Sequence, residues 1–250
     1  MRITFLKSIA LLISICMFLW LFNLPTLALD ETKYYFGLKG PYHYPAGDFD
    51  GKDRGDLTIA QDELTFEFTY DLHELVDNYG AGLTFGAYNG FAASEISYYQ
   101  SKHNTIWEGI ERNQNQAILD ILNLDFKFFK PNSDEKKFRP YGQFGLLLSS
   151  LSIKNCVNLV RIETVTDPAT GTETERVTFS GRGNARYRGR GYNLGFGLMY
   201  NIGERLILDG SVIYQKIFFE DLKAFDIRED VPEELLLTTR TYNLGIKYCF

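Results

Sequence analysis

The C-terminal segment alternates strictly between apolar and polar residues, and this pattern limits what the chain can fold into. Counting back from the last residue, every second side chain from Phe250 to Tyr242 is aromatic or aliphatic. The residues between them, from Cys249 to Thr241, are mostly polar, small or charged. A repeat of two places successive side chains on opposite faces of a β-strand. The segment therefore predicts a strand with one apolar face and one polar face.

The same alternation recurs along the chain and predicts seven further strands. Beyond the N-terminal region, no stretch approaches the roughly 20 continuous apolar residues that a membrane-spanning helix needs. We therefore expect an all-β protein of eight antiparallel strands. The seven segments are Tyr34–Leu38, Leu64–Tyr70, Leu83–Ala87, Leu122–Phe128, Phe144–Leu148, Leu194–Tyr200 and Leu206–Tyr214.

The predicted connections alternate between short and long. Short turns are expected near residues 73–78, 130–137 and 201–204, and the loops between the other strands run to about 20 to 40 residues. Short turns on one side and long loops on the other are typical of outer-membrane β-barrels, whose short turns face the periplasm. Both ends of the mature chain are then expected at the periplasmic side.

The N-terminus has the features of a secretory signal peptide. Arg2 and Lys7 precede an apolar run of about 14 residues that ends at Phe22, and Ala28 supplies a small residue at the cleavage position. We predict a signal peptide over residues 1–28 and a barrel domain over residues 29–250; an uncleaved anchor is the alternative. Removing the leader would take the net charge from -6 to -8, which gives no overall attraction to nucleic acid.

Alternation alone does not say which face points inward, because a soluble lipocalin-like barrel would bury its apolar face around a ligand. Charged residues in mid-strand on the polar face, such as Lys127 and Asp209, favour a polar lumen. Glycines recur on the same face, as expected where a narrow lumen is filled by a few long side chains. Tyr192 and Tyr200 lie near the ends of an apolar stripe, as in an interfacial aromatic girdle. These features favour a transmembrane barrel.

Several short segments resemble those of a known family. The ending, in which Tyr242, Leu244, Ile246, Tyr248 and Phe250 alternate, resembles the assembly signal of outer-membrane barrels, and residues 34–40, 139–142 and 192–197 resemble strands of the opacity-protein and OmpA-type eight-stranded barrels. The resemblance implies recognition of the terminal residues by the barrel assembly machinery. It also implies loops that serve envelope integrity, adhesion or host contact. No peptidoglycan-binding segment follows the strands, so no wall-tethering role is expected.

Charged residues of both signs are predicted on the lumen face. In an eight-stranded barrel the interior is just wide enough for side chains to fill, so opposite charges there should pair and close the barrel. A narrow ion path is the alternative. The residues of this predicted network are Lys39, Glu67, Asp71, Asp125, Lys127, Asp209 and Lys247.

A basic cluster lies just before the sixth predicted strand. Arg186, Arg188 and Arg190 share the parity of Tyr192, so an extended backbone would place them on the outward face, above the girdle; Arg182 precedes them. Lipopolysaccharide phosphates lie at that level, and arginine binds phosphate in a bidentate manner. A solvated loop is the alternative interpretation.

No motif predicts a metal, a cofactor or a catalytic site. Two acidic segments are interpreted as solvated: a turn containing Asp48, Asp50, Asp53 and Asp56, whose spacing is not that of an EF-hand, and a loop over residues 217–240. The three histidines are expected apart from one another, His73 in a periplasmic turn, and His43 and His103 in separate loops.

The sequence thus predicts a non-enzymatic surface protein of the outer membrane, with a narrow channel or a lipid A-modifying enzyme as alternatives. The expected partners are outer-membrane lipid and lipopolysaccharide, the assembly machinery during biogenesis, and a surface or host ligand at the loops; the protein is expected to be a monomer. Cys156 and Cys249 are predicted at opposite ends of the barrel, too far apart for a disulfide.

Overall fold

The computed structural model describes residues 32–51, 54–61, 64–107, 110–130, 137–166, 173–224 and 227–250, within which the chain forms eleven β-strands. The predicted signal peptide and Asp53 lie outside these residues. No helix in the described ranges is long and apolar enough to cross a membrane. The strands are β1 (Lys33–Gly47), β2 (Arg54–Gln61), β3 (Leu64–Asp71), β4 (Glu74–Leu75), β5 (Asn78–Tyr88), β6 (Ala92–Trp107), β7 (Ile110–Phe129), β8 (Phe138–Thr166), β9 (Glu173–Asn201), β10 (Leu206–Ala224) and β11 (Ile227–Cys249).

Eight of these strands close into a ring. Strand β1 pairs with β5 on one side and with β11 on the other, and the remaining pairs run β5–β6, β6–β7, β7–β8, β8–β9, β9–β10 and β10–β11. Every pairing is antiparallel, and ring neighbours follow one another in the chain except where β2 to β4 intervene. The predicted eight-stranded up-and-down barrel is confirmed.

One of the eight predicted strands was assigned wrongly, and one strand of the ring was not predicted. Residues 64–71 form β3, which is not part of the ring: it makes a hairpin with β2 and adds to β8 beyond the barrel, where Tyr70 lies opposite Val157. The ring instead contains β6, which the alternation pattern missed. The short turns at residues 130–137 and 202–205 lie at the end where the chain terminates, and the third short turn is residues 89–91. The turn predicted at residues 73–78 lies at the opposite end.

The ring has an apolar belt on its outside near the short turns. Along β8, Phe144 and Leu146 point outward and are exposed, whereas Gln143 and Gly145 are buried inside. Beyond Leu148 the pattern reverses: Ser150 and Ser152 face outward while the residues between and after them, Leu151 and Ile153, are buried in the lumen. The strands thus carry an apolar exterior in one half and an apolar interior in the other.

The reversed half, which we call the outer extension, replaces most of the predicted long loops with strand. Strands β8 and β9 are each 29 residues long, and β10 and β11 continue through most of residues 217–240, where an acidic loop had been expected. The basic cluster around Arg186 is likewise within β9. The prediction of long irregular loops is wrong at these two connections, because an apolar core continues inside the ring beyond the belt.

A β-bulge joins the barrel to the sheet above it. Between Ile153 and Val157, β8 advances four residues while β9 advances two, from Ala185 to Gly183. Asn155, at the centre of the bulge, has a φ of 52°, a left-handed conformation that asparagine tolerates better than most residues. Its backbone N–H donates to Asn184 Oδ1 at 3.0 Å. At this bulge β8 changes its partner from β7 to β3.

Candidate functional site

A charged cluster lies in the middle of the lumen. Glu95 of β6 and Asp209 of β10 together bind the amines of Lys39, Lys127 and Lys247, which come from β1, β7 and β11. The Nζ atom of Lys127 is 3.0 Å from Glu95 and 3.1 Å from Asp209, and the Nζ atom of Lys247 is 2.7 Å and 2.5 Å from the same carboxylates. Because the two carboxylates each bridge lysines of other strands, the cluster ties five strands of the ring together.

The surrounding polar groups complete the cluster. Tyr35 donates to Glu95 at 2.8 Å, and Tyr141 donates to Asp209 at 2.6 Å. Asp125, also buried, accepts a hydrogen bond from Asn193 Nδ2 at 2.7 Å. The interior at this level therefore contains three acids and three lysines, so its formal charges balance. Buried charges are tolerated when they are paired and hydrogen-bonded in this way.

Of the seven residues predicted on the lumen face, five lie inside the ring and two do not. Lys39, Lys127, Asp209 and Lys247 meet in the cluster, and Asp125 lies beside it. Glu67 and Asp71 belong to β3, outside the ring: Glu67 is exposed, and Asp71 is buried with Arg182 Nη2 2.7 Å from its Oδ2. Glu95 was missed because its strand was not predicted.

The lumen is narrow enough that glycine is required where large side chains cross it. At Gly197 an added Cβ would overlap the ring of Tyr141, the residue that binds Asp209. At Gly145 it would overlap the carboxylate of Asp125 and the carbonyl oxygen of Leu124. The glycines on the lumen face thus make space for the polar side chains, as the sequence pattern suggested.

Toward the short turns, the interior is closed by a second, mainly aromatic layer. Tyr35, Tyr88, Phe129 and Tyr141 belong to one buried cluster with Met199, Ile207 and Cys249. The guanidinium of Arg139 lies 4.1 Å from the ring centre of Phe129 and donates to the turn carbonyl of Gly90 at 3.1 Å. This layer lies between the charged cluster and the short-turn end of the barrel.

All three histidines lie in or next to the lumen, above the charged cluster. His43 and His103 lie in β1 and β6, so the prediction of loops is wrong for both; His73 lies in a connection, as predicted, but at the opposite end of the barrel. His43 is bonded to Thr241 at 2.9 Å and stacks on Tyr99, with ring centres 5.3 Å apart. His73 lies 3.3 Å from Thr105 Oγ1. The ring of His103 is 6.1 Å from that of His43.

His103 and Ser101 form a hydrogen-bonded pair. His103 Nδ1 is 2.7 Å from the carbonyl oxygen of Val76, and since a carbonyl only accepts, Nδ1 carries the proton. His103 Nε2 therefore accepts from the Ser101 hydroxyl at 2.8 Å. A histidine that accepts from a serine hydroxyl has the geometry of a general base with a nucleophile. Here, however, both side chains are buried within the barrel.

The connection between β1 and β5 folds back and covers the mouth of the ring. Its residues Phe49, Leu72 and Leu75, which we call the plug, are all buried. The ring of Phe49 packs edge-on against Tyr187 and Phe219, with ring centres 5.4 Å and 5.6 Å apart. The plug belongs to the apolar core of the outer extension.

Hydrogen bonds of the two residues next to the plug, Asp48 and Val76, hold it to two sides of the ring. At its start, the Asp48 backbone N–H donates to Leu236 O at 2.9 Å, and Asp48 Oδ2 accepts from Leu236 N at 2.7 Å. At its end, Val76 N donates to Asn104 O of β6 at 3.0 Å. The acidic turn is therefore partly structural. Among the described residues no group of three or more His, Cys, Asp or Glu side chains is arranged to hold a metal ion; the Asp56 side chain lies outside that description.

The arginines of the basic cluster point outward from β9. Arg186 and Arg190 are exposed and Arg188 is partly exposed, while Tyr187 between them is fully buried. Arg186 Nε donates to Ser150 Oγ at 2.8 Å, and Arg190 Nη2 is 2.7 Å from Glu220 Oε1. Their contact with lipopolysaccharide stays a prediction.

Cys156 and Cys249 lie at opposite ends of the barrel, as predicted, and both thiols are free. Cys249 ends β11 next to Tyr88 at the short-turn end, and Cys156 lies in the bulge of the outer extension. Burial raises the pKa of the Cys156 thiol to about 12. The residues of the predicted assembly signal are all exposed on the outside of the belt: Tyr242, Leu244, Ile246, Tyr248 and Phe250.

No family model and no curated protein matches the sequence. Solved structures do match its fold. Neisserial surface protein A is 8% identical with a TM-score of 0.48 (88% of this chain, 99% of that chain). A major outer membrane protein from Thermus thermophilus is 12% identical with a TM-score of 0.46 (87% and 99%), and the outer membrane protease OmpT from Escherichia coli is 10% identical with a TM-score of 0.38 (90% and 99%). At these identities the similarity concerns the fold alone.

The location of the protein follows from its two surfaces. A closed ring leaves no open strand edge in the belt, because each of its strands pairs with a neighbour on both sides. An apolar exterior around a polar, charged interior is the arrangement of outer-membrane β-barrels and the reverse of a soluble ligand-binding barrel. The protein is an outer-membrane β-barrel; that its short turns face the periplasm stays a prediction.

Proposed function

We propose that this protein is a non-enzymatic surface protein whose barrel holds a rigid binding sheet outside the cell. The supporting observation is the sheet formed by β2, β3 and the outer halves of β8 and β9. Its end strand, β9, is paired with β8 on one side, and its pairing with β10 stops at Arg186. Among the described residues, the part of β9 around Val177 and Ser180 therefore lies beyond the end of its pairing with β10, and strand edges bind extended peptides by β-augmentation.

The exposed edge carries apolar side chains that the outer-membrane location does not explain. Val177 and Phe179 are 59% and 46% exposed, although they lie well beyond the apolar belt. Thr178 between them donates to Arg161 O at 3.4 Å within a second irregularity of the β8–β9 pairing. Exposed apolar groups on a strand edge favour contact with another protein, so we assign adhesion or host contact to this edge.

The two alternative functions have less support. A channel needs a continuous aqueous path, whereas the lumen is crossed by an aromatic layer, the charged cluster and the plug. An enzyme needs access to its reactive groups, whereas Ser101 and His103 are both buried within the barrel. Neither arrangement favours transport or catalysis.

Attachment of whole cells tests the proposal. A Gram-negative host strain would display the wild-type protein, a V177T/F179T variant, or a control T174S/S180A variant altered on the same strand. We expect the apolar variant to reduce attachment to cultured epithelial cells several-fold at equal surface amounts, and the control to retain it. Equal attachment by all three would exclude adhesion through this edge. Increased sensitivity to detergent of the cells that carry the apolar variant would indicate that the edge serves envelope integrity instead.

A further inference from the structure

The outside of β9, β10 and β11 carries three parallel rows of residues at the upper edge of the belt. The lowest row is aliphatic, the next is tyrosine, and the highest is basic. From one strand to the next, each row moves two residues down from the pairing partner of the preceding residue. Because the strands are tilted, this offset keeps the residues of a row at one height in the membrane. The rows are Leu194, Val212 and Leu244; Tyr192, Tyr214 and Tyr242; and Arg190, Lys216 and Arg240.

The strand register fixes the position of the basic row. Tyr192 pairs with Lys216, and Tyr214 pairs with Arg240, so each of these cations lies directly across from a tyrosine of the row below. Arg190 lies opposite Phe218, two residues beyond Lys216. The basic row therefore follows the tyrosine row across three strands. Tyrosines at this position mark the interface of hydrocarbon and headgroups, so the cations lie at headgroup height.

We propose that Arg190, Lys216 and Arg240 bind the phosphate groups of lipopolysaccharide in the outer leaflet. Neighbouring residues on a diagonal of a sheet have Cβ atoms about 7–8 Å apart, so long basic side chains on adjacent strands can reach one phosphorylated headgroup together. Arginine forms paired, charge-assisted hydrogen bonds with phosphate, and lysine adds a point charge. Of the three arginines singled out in the sequence, only Arg190 belongs to this row.

The contacts of these cations within the protein leave them able to bind a phosphate. Arg190 pairs with Glu220, but the two side chains are 73% and 46% exposed. An exposed ion pair of this kind contributes little, so a phosphate can replace or share it. The amine of Lys216 lies 5.2 Å from the ring centre of Phe218, which holds the chain against the barrel wall. Arg240 is exposed, between the buried Thr239 and Thr241.

Thermal unfolding in bilayers of different composition tests the proposal. The full-length mature protein would be refolded into bilayers of phosphatidylcholine alone, of phosphatidylcholine with lipopolysaccharide, and of phosphatidylcholine with dephosphorylated lipopolysaccharide. The variants are R190Q/K216Q/R240Q and a control, K33Q/K154Q/R176Q, which removes the same charge from exposed positions outside the row. We expect lipopolysaccharide to raise the Tm of the wild type and of the control, and the row variant to lose most of that rise.

Each other outcome contradicts the proposal. An equal loss of Tm in phosphatidylcholine alone would assign the three residues to barrel packing. A full rise with dephosphorylated lipopolysaccharide would mean that the saccharide or the acyl chains are recognised. An equal rise with phosphatidylglycerol would indicate unspecific attraction of anionic lipid, and an equal rise with free pyrophosphate would exclude a lipid-bound site.

The conservative R190K/R240K variant, which keeps the charge, should retain at least half of the rise in Tm if phosphate is bound. None of these results bears on adhesion through the β9 edge.

Discussion

The ring of Phe49 stands edge-on to the ring of Tyr187, with centres 5.4 Å apart and planes at 85°. Phe49 comes from the first long connection, whereas Tyr187 points inward from β9. This contact therefore fixes a covering segment to the wall of the barrel rather than one strand to another. Because Phe49 is 2% exposed, its side chain helps to close the mouth of the lumen.

Replacing Phe49 with alanine should loosen this covering segment. A buried phenylalanine contributes about 3–5 kcal/mol relative to alanine, and the same apolar core contains Cys156. We expect F49A to increase the rate at which a maleimide labels Cys156 in the folded barrel. The matched control is F91A, in a short turn at the other end of the ring. Equal labelling rates in F49A and the wild type would mean that Phe49 does not hold the plug.

The wild-type thiols should be free but slow to react. A raised pKa leaves little thiolate at pH 8, and thiolate is the form that attacks a maleimide. We expect Cys156 to remain unlabelled in the folded protein, and denaturation without a reducing agent to reveal two thiols in the mature chain. Mass spectrometry counts the labels. An absence of labels after denaturation would indicate a disulfide and contradict the strand order.

Replacing Glu95 with glutamine should strongly destabilise the barrel. The amide would leave three buried lysines facing Asp209 and Asp125, and loss of one partner from a buried ion pair costs about 3–5 kcal/mol. The shift of gel mobility on heating, measured across a urea series, reports the midpoint of unfolding. I96V, on the outward face of the same strand, serves as the control. A midpoint for E95Q equal to that of I96V would show that the lysines do not depend on Glu95.

The purified barrel should conduct no steady ionic current. The aromatic layer and the charged cluster both cross the lumen below the plug, so removing the plug alone does not open a path. We therefore expect planar-bilayer recordings of the wild type and of F49A to show no stable single-channel steps. Reproducible steps with the wild type would support the channel interpretation, and steps with F49A alone would assign the barrier to the plug.

Deleting Phe250 should impair assembly in the cell without preventing refolding of the purified chain. Phe250 is 68% exposed outside the ring, and its backbone N–H donates to Tyr34 O at 3.0 Å. We expect the Phe250 side chain to be required for recognition of the chain by the assembly machinery. Heat-modifiable mobility in outer-membrane fractions should show much less folded protein for the deletion, whereas F250Y should assemble. Equal folded amounts in the cell would remove this role.

The barrel class could be predicted from the sequence because each strand has opposite faces inside the membrane. The segment from Tyr242 to Phe250 shows this contrast fully. Strand β6 was missed because Gln100 and Lys102 point outward while Tyr99 points inward, so apolar and polar residues do not separate by parity. Alternation in β3 was real, but alternation does not reveal whether a strand belongs to the ring or to a hairpin added to it.

The boundaries and the site were harder to predict, because the apolar face changes sides where the membrane ends. Beyond the belt the environment outside is water, so Ile217 and Phe219 point inward and Glu220 outward. A search for one continuous apolar face therefore ends each strand too early and assigns the rest to loops. The plug and the histidine layer depend on contacts between distant segments, for which a single sequence gives no signal.

The bulge at Asn155 divides the molecule into two parts under different structural constraints. Below it, the outward face of each strand contacts lipid and the inward face packs in a crowded interior, so a substitution on either face is constrained. Above it, β8 has exchanged its barrel neighbour for a hairpin supplied by the first connection. That outer sheet can lengthen, shorten or change its edge sequence while the ring below keeps its register. A protein built in this way can change the shape of its outer sheet without rebuilding the ring that carries it.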